Sequence, residues 1–291
     1  MSLPLPTSLS PSKVGSFKDC ALAFRFSAID RLPEPPSPWL TKGTLVHRAL
    51  ELLFWEEPAG QRTIEAALAK LEQAKTEIMT DRDFTGLTLT EAETDEFFGD
   101  ADLLVRRYFE LEDPNSVRVI GTELMLEVSL GSLTLRGIID RLELDEDGEL
   151  VVTDYKTGRA PHGNYELSKM AGIQFYAFLC EQVLGRRPAR IQLLHLREPV
   201  AISTVPSEQS IVGMQRRTEA VWKAVERACE QDNFRPRMSR LCDYCSFKEY
   251  CPAFGGDPEL ASKLGEERRA EIAARSESSD HRSYSTLSVT R

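Results

Sequence analysis

The sequence has no apolar run long enough to cross a bilayer, because charged residues interrupt every stretch short of the roughly 18 uninterrupted apolar residues a span needs. It also lacks a charged amino-terminal region followed by an apolar core, so no secretory leader is read and a cytoplasmic setting without membrane attachment is the expectation. Basic charge is in deficit: 36 Lys and Arg stand against 46 Asp and Glu, for a net charge of −10. That balance excludes a protein that coats duplex nucleic acid through a general positive field, but it leaves room for local clusters such as Arg186, Arg187 and Arg190 or Arg235, Arg237 and Arg240. Cysteine is scarce, six residues in 291, and in a chain read as cytosolic it points to metal binding or core packing rather than to disulfides. No internal repeat is present. The 41% hydrophobic content is ordinary for a globular protein and ample for a core.

Read in order, the chain divides into a mainly helical part over 9–112, an α/β core over 113–232 and a cysteine segment over 233–256, together one domain at 9–256. A polar helix and an unstructured tail follow over 257–291. Ser10 and Pro11 open a short helix with an N-cap and a proline at its first position. Thr41 to Trp55 carries an apolar stripe of Leu45, Ala49, Leu52 and Leu53, with His47 beside it. Helical patterns run over Ile64 to Met79 and Glu91 to Glu110, and from Val117 to Val152 the period shifts toward two, predicting three successive strands. A helix over Tyr165 to Leu184, strands over Ala189 to Leu196 and Val200 to Val205, and a helix over Ile211 to Asp232 complete the core.

The chemistry centres on Gly137 to Gly158, two apolar strands joined by an acidic turn. Asp140 and Asp154 are each embedded in apolar text, Gly-Ile-Ile-Asp and Val-Val-Thr-Asp, where a carboxylate is costly to desolvate unless a cation or donor compensates it. Lys156, two residues beyond Asp154, shares its face of an extended chain. Such a group suits a divalent cation and a polarised phosphate. Farther on, Cys242, Cys245 and Cys251 form a metal-binding knuckle one ligand short of a closed site. Cys20 is the evident fourth ligand and His195 the weaker one, with zinc or iron equally compatible with the ligands alone. Cys180 and Cys229 lie in helical text and read as core.

Four ordered motifs carry a resemblance: Leu9 to Cys20, Lys42 to Leu50 with its Gly-x-x-x-His, Gly137 to Arg141, and Val152 to Gly158 with Asp-Tyr-Lys-Thr-Gly. They resemble the RecB-type branch of the PD-(D/E)xK nucleases. The resemblance implies an α/β, restriction-endonuclease-like core with a mixed central sheet flanked by helices. It further implies Mg²⁺ or Mn²⁺ held by His47, Asp140, Asp154 and the carbonyl of Tyr155, with Lys156 positioning water and phosphate. Glu123 takes the acidic position on the preceding strand, favoured over Glu127, which by its even offset shares that face. Candidate DNA contacts are Tyr176, Gln174 and Arg141, although Gln174 stands two residues rather than four before the tyrosine. Tyr155, Tyr165, Phe175 and Tyr176 are candidates for base stacking. One cysteine before the histidine helix and three after the core resembles the iron–sulfur members, AddB-like and CRISPR-associated exonucleases. This implies a [4Fe-4S] cluster on Cys20, Cys242, Cys245 and Cys251. The implied activity is hydrolysis of DNA, at single-stranded ends, in repair or recombination, with a helicase or CRISPR adaptation partner. The competing readings are a noncatalytic DNA-binding subunit of such a system and a zinc-binding scaffold.

Overall fold

The computed structural model describes residues 2–160, 165–276 and 286–290. Helices α1 (Pro11–Asp19) and α2 (Ala21–Phe24), the latter running into a π-helical turn at Arg25–Ile29, precede α3 (Pro38–Glu56), α4 (Ile64–Ile78), α5 (Arg82–Thr85) and α6 (Glu91–Tyr108). Strands β1 (Arg118–Leu130), β2 (Leu133–Leu144) and β3 (Leu150–Lys156) follow, then α7 (Tyr165–Val183), β4 (Arg190–His195), β5 (Val200–Thr204), α8 (Glu208–Gln231), α9 (Pro258–Ser276) and β6 (Thr286–Thr290). The Ser10 hydroxyl accepts from the Lys13 amide, as the sequence predicted, and Thr90 with Glu93 forms a reciprocal cap on α6. Among the described residues no helix is long and apolar enough to cross a membrane.

The six strands lie in the order β5-β4-β3-β2-β1-β6. Neighbours β1, β2 and β3 pair antiparallel, β3 and β4 pair parallel across the α7 crossover, and β4 and β5 pair antiparallel. The mixed sheet flanked by helices is the fold class the sequence implied. One difference is at the carboxyl end, read as unstructured from 276. Thr286–Thr290 pairs in parallel with Met125–Ser129, covering the edge that β1 would otherwise present.

Two cores hold the helices to the sheet. On one side α7 and α8 pack with the amino-terminal helices and the cysteine segment over residues such as Val152, Leu193 and Ile139. On the other, α3, α4 and α6 bury Leu45, Leu53, Leu71 and Leu104 with Tyr155 and Leu194. Gly137 marks the closest approach of β2 to α7: a Cβ there would stand 2.8 Å from Leu179 Cδ1 and 3.1 Å from Tyr176 Cε1.

Candidate metal-dependent active site and cysteine lobe

Strand register assembles the acids. Thr122 pairs with Arg141 and Leu124 with Ile139, so Glu123 falls opposite Asp140. Arg141 pairs with Thr153, and the next step sets Asp140 opposite Asp154. Here the pleat breaks. Alternation would put Ile139 and Arg141 on one face. Ile139 instead lies in the core beneath α7, while Arg141 stacks on Phe54 of α3 at 4.7 Å. The face changes at Asp140, opposite Glu123, whose φ of 45° is in the left-handed region. A non-glycine residue held there costs about 1–3 kcal/mol, a strain that concentrates at functional sites.

The apolar stripe of α3 seats His47 over this break. His47 Nε2 is 3.1 Å from the Tyr155 carbonyl, which can only accept, so Nε2 carries the proton. Its Nδ1 faces Asp140 Oδ2 at 3.6 Å and Glu123 Oε1 at 4.0 Å. The ligand atoms of His47, Glu123 and Asp140 all lie within 4.8 Å of one another, a grouping that could hold a divalent cation. Asp140 is oriented by the Tyr155 amide, which donates to its Oδ2 at 2.7 Å where the β2–β3 ladder ends.

Asp154 departs from the implied ligand set. It is buried, and its Oδ2 is paired with the ammonium of Lys156 two residues on. The ligand atoms that cluster are those of His47, Glu123 and Asp140, while Asp154, implied as a ligand, is paired with Lys156. The Tyr155 carbonyl, implied as a ligand, is engaged by His47.

Burial, and then the neighbouring carboxylates of Asp140, Glu51 and Asp154, push Glu123 up to about 8. Burial and Asp154 push Asp140 up to about 6 against the pull of His47. Burial alone would lower Lys156, but Asp154 and Asp140 outweigh it and raise it, which keeps the amine charged. Both acids bind protons more tightly folded than unfolded, so their contribution to stability is complete below their unfolded values and is lost as pH rises through about 6 and 8. Without divalent cations the Tm therefore falls between pH 5 and 8.5, and the rise in Tm on adding Mg²⁺ or Mn²⁺ grows over the same range, because the ion displaces protons. Differential scanning fluorimetry with and without EDTA reads both slopes, and Glu123→Gln flattens them.

The PD-(D/E)XK nuclease superfamily model matches residues 8–252. The chain belongs to the PD-(D/E)XK nuclease superfamily. It is similar to two curated phage proteins. The Gene 69 protein of Mycobacterium phage D29 is 27% identical over 186 residues, which is 56% of this chain and 66% of that protein. The Gene 69 protein of Mycobacterium phage L5 is 24% identical over 84% of this chain and 96% of that protein. Two solved structures overlap it loosely: a "Putative exonuclease" from Eubacterium rectale, with a TM-score of 0.48, 13% identity and coverage of 82% of this chain and 87% of that one, and SSO0001, with a TM-score of 0.35, 16% identity and coverage of 73% and 84%.

In this PD-(D/E)XK chain His47 and Glu123 line a cleft of about 750 Å³ whose walls also include Leu40, Thr44, Arg48, Glu51 and Glu77. Glu51 stands one helical turn beyond His47. Arg48 joins it at 2.8 Å and Glu77 at 2.8 and 3.1 Å. The sequence reading missed these residues, although the four-residue spacing from His47 was a usable signal.

Several implied DNA contacts are corrected. Arg141 is fully buried, bonding Glu112, Glu143, Tyr108, Tyr155 and Thr153 beneath α3, because the change of face turns it away from the cleft. Arg141→Met accordingly destabilises the protein by about 3 kcal/mol, by leaving buried carboxylates unpaired, rather than selectively weakening DNA affinity; urea unfolding beside a binding titration separates the two. Gln174 is buried and accepts from the Ser210 hydroxyl at 2.8 Å, joining α7 to α8. Tyr155 and Phe175 are buried in the two cores and offer no ring for stacking. Tyr176 packs half-buried against Gly137, its phenol raised well above its ordinary value by burial and then by Asp154, Asp140 and Glu123, which places it beside the acids. The side chain of Tyr165 lies outside the described residues. Glu127 is spent on Arg136 at 2.7 Å, whereas Glu123 reaches the site.

The cysteines divide as read. Cys180 and Cys229 are buried, their thiols pushed up by burial to about 12 and about 11. Cys20, Cys242, Cys245 and Cys251 line one cavity of about 390 Å³. Backbone amides of Arg237 and Ser239 point at the sulfurs of Cys20 and Cys242 at 3.5 and 3.4 Å. His195 is buried in β4 opposite Lys156, away from this cavity.

Proposed function

We propose that this protein is a divalent-cation-dependent DNA exonuclease of the RecB type, acting in the cytoplasm on single-stranded ends in repair or recombination, alone or with a helicase or CRISPR adaptation partner. The observation that carries the reading is the row Glu123, Asp140 and Asp154 across three paired strands, met by His47 from α3 and by Lys156 at the end of β3. The donor set, hard oxygens and one imidazole whose charge is expensive to keep without a cation, fits Mg²⁺ or Mn²⁺ on His47, Glu123 and Asp140. Such an ion supplies charge neutralisation at a phosphate and acidifies a bound water. Lys156 keeps its proton and offers a point cation to the scissile phosphate. Asp154, paired with Lys156, would be a further carboxylate able to help hold the ion. Tyr155 holds Asp140 with its amide and the His47 ring with its carbonyl, so neither must reorganise.

The cysteine cavity supports a [4Fe-4S] cluster over zinc. A tetrahedral zinc site with Zn–S near 2.3 Å needs sulfurs about 3.8 Å apart, and among the described residues no three of these sulfurs come within 4.8 Å of one another.

The decisive experiment uses anaerobically purified protein and end-labelled single- and double-stranded DNA of both polarities, with Mg²⁺, Mn²⁺ or chelator. Chelation-sensitive shortening of single strands, lost in Asp154→Ala and Lys156→Ala, is expected. Undiminished activity in both variants overturns the site, and binding without cleavage by the wild type establishes the noncatalytic subunit. A visible spectrum distinguishes iron–sulfur from colourless zinc.

A further inference from the structure

The first turn of α3 carries a large aromatic that packing does not account for. Trp39 is 68% exposed, and the adjoining Leu40, 75% exposed, lines the cleft that holds His47 and Glu123. An indole left in water forgoes the favourable burial of its apolar surface. Its pose is nonetheless fixed by two cations: Lys42 Nζ lies 5.4 Å and the Arg197 guanidinium carbon 5.7 Å from the ring. Both cations bond the same oxygen of Asp100, each at 2.7 Å, so one negative charge answers two positive ones.

This group adjoins the catalytic strand. Arg197 Nε also donates to the carbonyl of Thr157, the residue after Lys156, at 3.4 Å. One turn along α3 from Trp39, Gly43 passes so close to Thr157 that a Cβ would stand 3.3 Å from its Oγ1. Trp39 and His47 are eight residues apart, about 12 Å along the helix. The far side of the cleft is acidic, with Glu51, Glu77, Asp81 and Asp83 against Arg48. Beside Trp39, in contrast, an excess positive charge adjoins an open aromatic face.

We propose that Trp39, backed by Lys42 and Arg197, is the platform on which one base of a single strand stacks while its phosphate meets the excess cation, a few nucleotides from His47. The proposal deepens the nuclease reading and rests on it. A base has a π-face whatever its identity, and a single strand, unlike a duplex, leaves that face free to stack, so the occupant is single-stranded nucleic acid.

The test is fluorescence anisotropy of labelled oligothymidylate on the full chain in EDTA, where nothing is cleaved. Trp39→Ala weakens binding about tenfold, Trp39→Phe keeps most of it, and Trp55→Ala, removing another exposed tryptophan, changes nothing. An abasic scan of the oligonucleotide then finds one position that weakens wild-type binding and has no effect on Trp39→Ala. That scan can be run on the wild type alone should a variant fold poorly. Wild-type binding with no sensitive position, or a Trp39→Ala variant within twofold of wild type, overturns the platform while leaving the nuclease reading intact. A wild type that binds no single strand overturns both.

Discussion

Asp140→Asn lowers DNA cleavage about a thousandfold and, at pH 8 without divalent cations, raises the Tm by a few degrees. The two effects share one cause. Asp140 is buried beside Asp154 and opposite Glu123, and its carboxyl is raised to about 6, so the free protein carries a charge at pH 8 that its fold disfavours. Asparagine keeps the oxygen that accepts from the Tyr155 amide while removing that charge. The gain is present at pH 8, shrinks as pH falls through about 6, and is gone below the unfolded value near 4, where the wild-type carboxyl is neutral in both states. Adding Mn²⁺ reverses the order, because only the wild type binds the ion with a full set of ligands. A variant that retains cleavage, or that melts below wild type in EDTA at pH 8, contradicts the role assigned to Asp140.

From the proposed [4Fe-4S] cluster it follows that Cys20→Ser abolishes its visible absorbance and lowers the Tm by about 10 °C, whereas Cys180→Ala leaves that absorbance in place. Cys20 and Cys242 lie more than two hundred residues apart, and joining them through one inorganic group closes a very long loop, removing unfolded-chain entropy. The variant still folds, since other contacts join the same segments. Phe26 meets Phe247 and Tyr250 edge-on at 5.6 and 6.0 Å, Arg237 donates to the Lys18 carbonyl at 2.8 Å, and buried Arg25 pairs with Asp30 and Asp232. The amide donors on Cys20 and Cys242 persist in that frame, so iron and sulfide restore colour to the wild type after reduction but not to Cys20→Ser. Equal iron content in the two proteins refutes the assignment.

The helices and strands were legible because their signals are local: the α3 stripe, the cap at Ser10, and the alternation through Val128 and Val152 all act within a turn or a pleat. The convergence of His47 and Asp140 was legible only through motif order, since nothing local brings an α3 residue to a β2 residue. Arg141 and Gln174 were misread for a common reason. Their types suit a phosphate or a base, but one turns beneath α3 where the pleat breaks, and the other is drawn to Ser210 at the start of α8.

By itself the sequence determined the order of elements, the residue types at the metal group, and the division of six cysteines into four that share a cavity and two that fill the core. Only the tertiary structure decided between Glu123 and Glu127, which strict alternation makes equivalent. The left-handed backbone at Glu123 breaks that alternation opposite Asp140, and burial of the α3 stripe then sets His47 beside the acid displaced by the break. Such strain is held by the packing around it rather than by the residue that bears it, so no local pattern announces it.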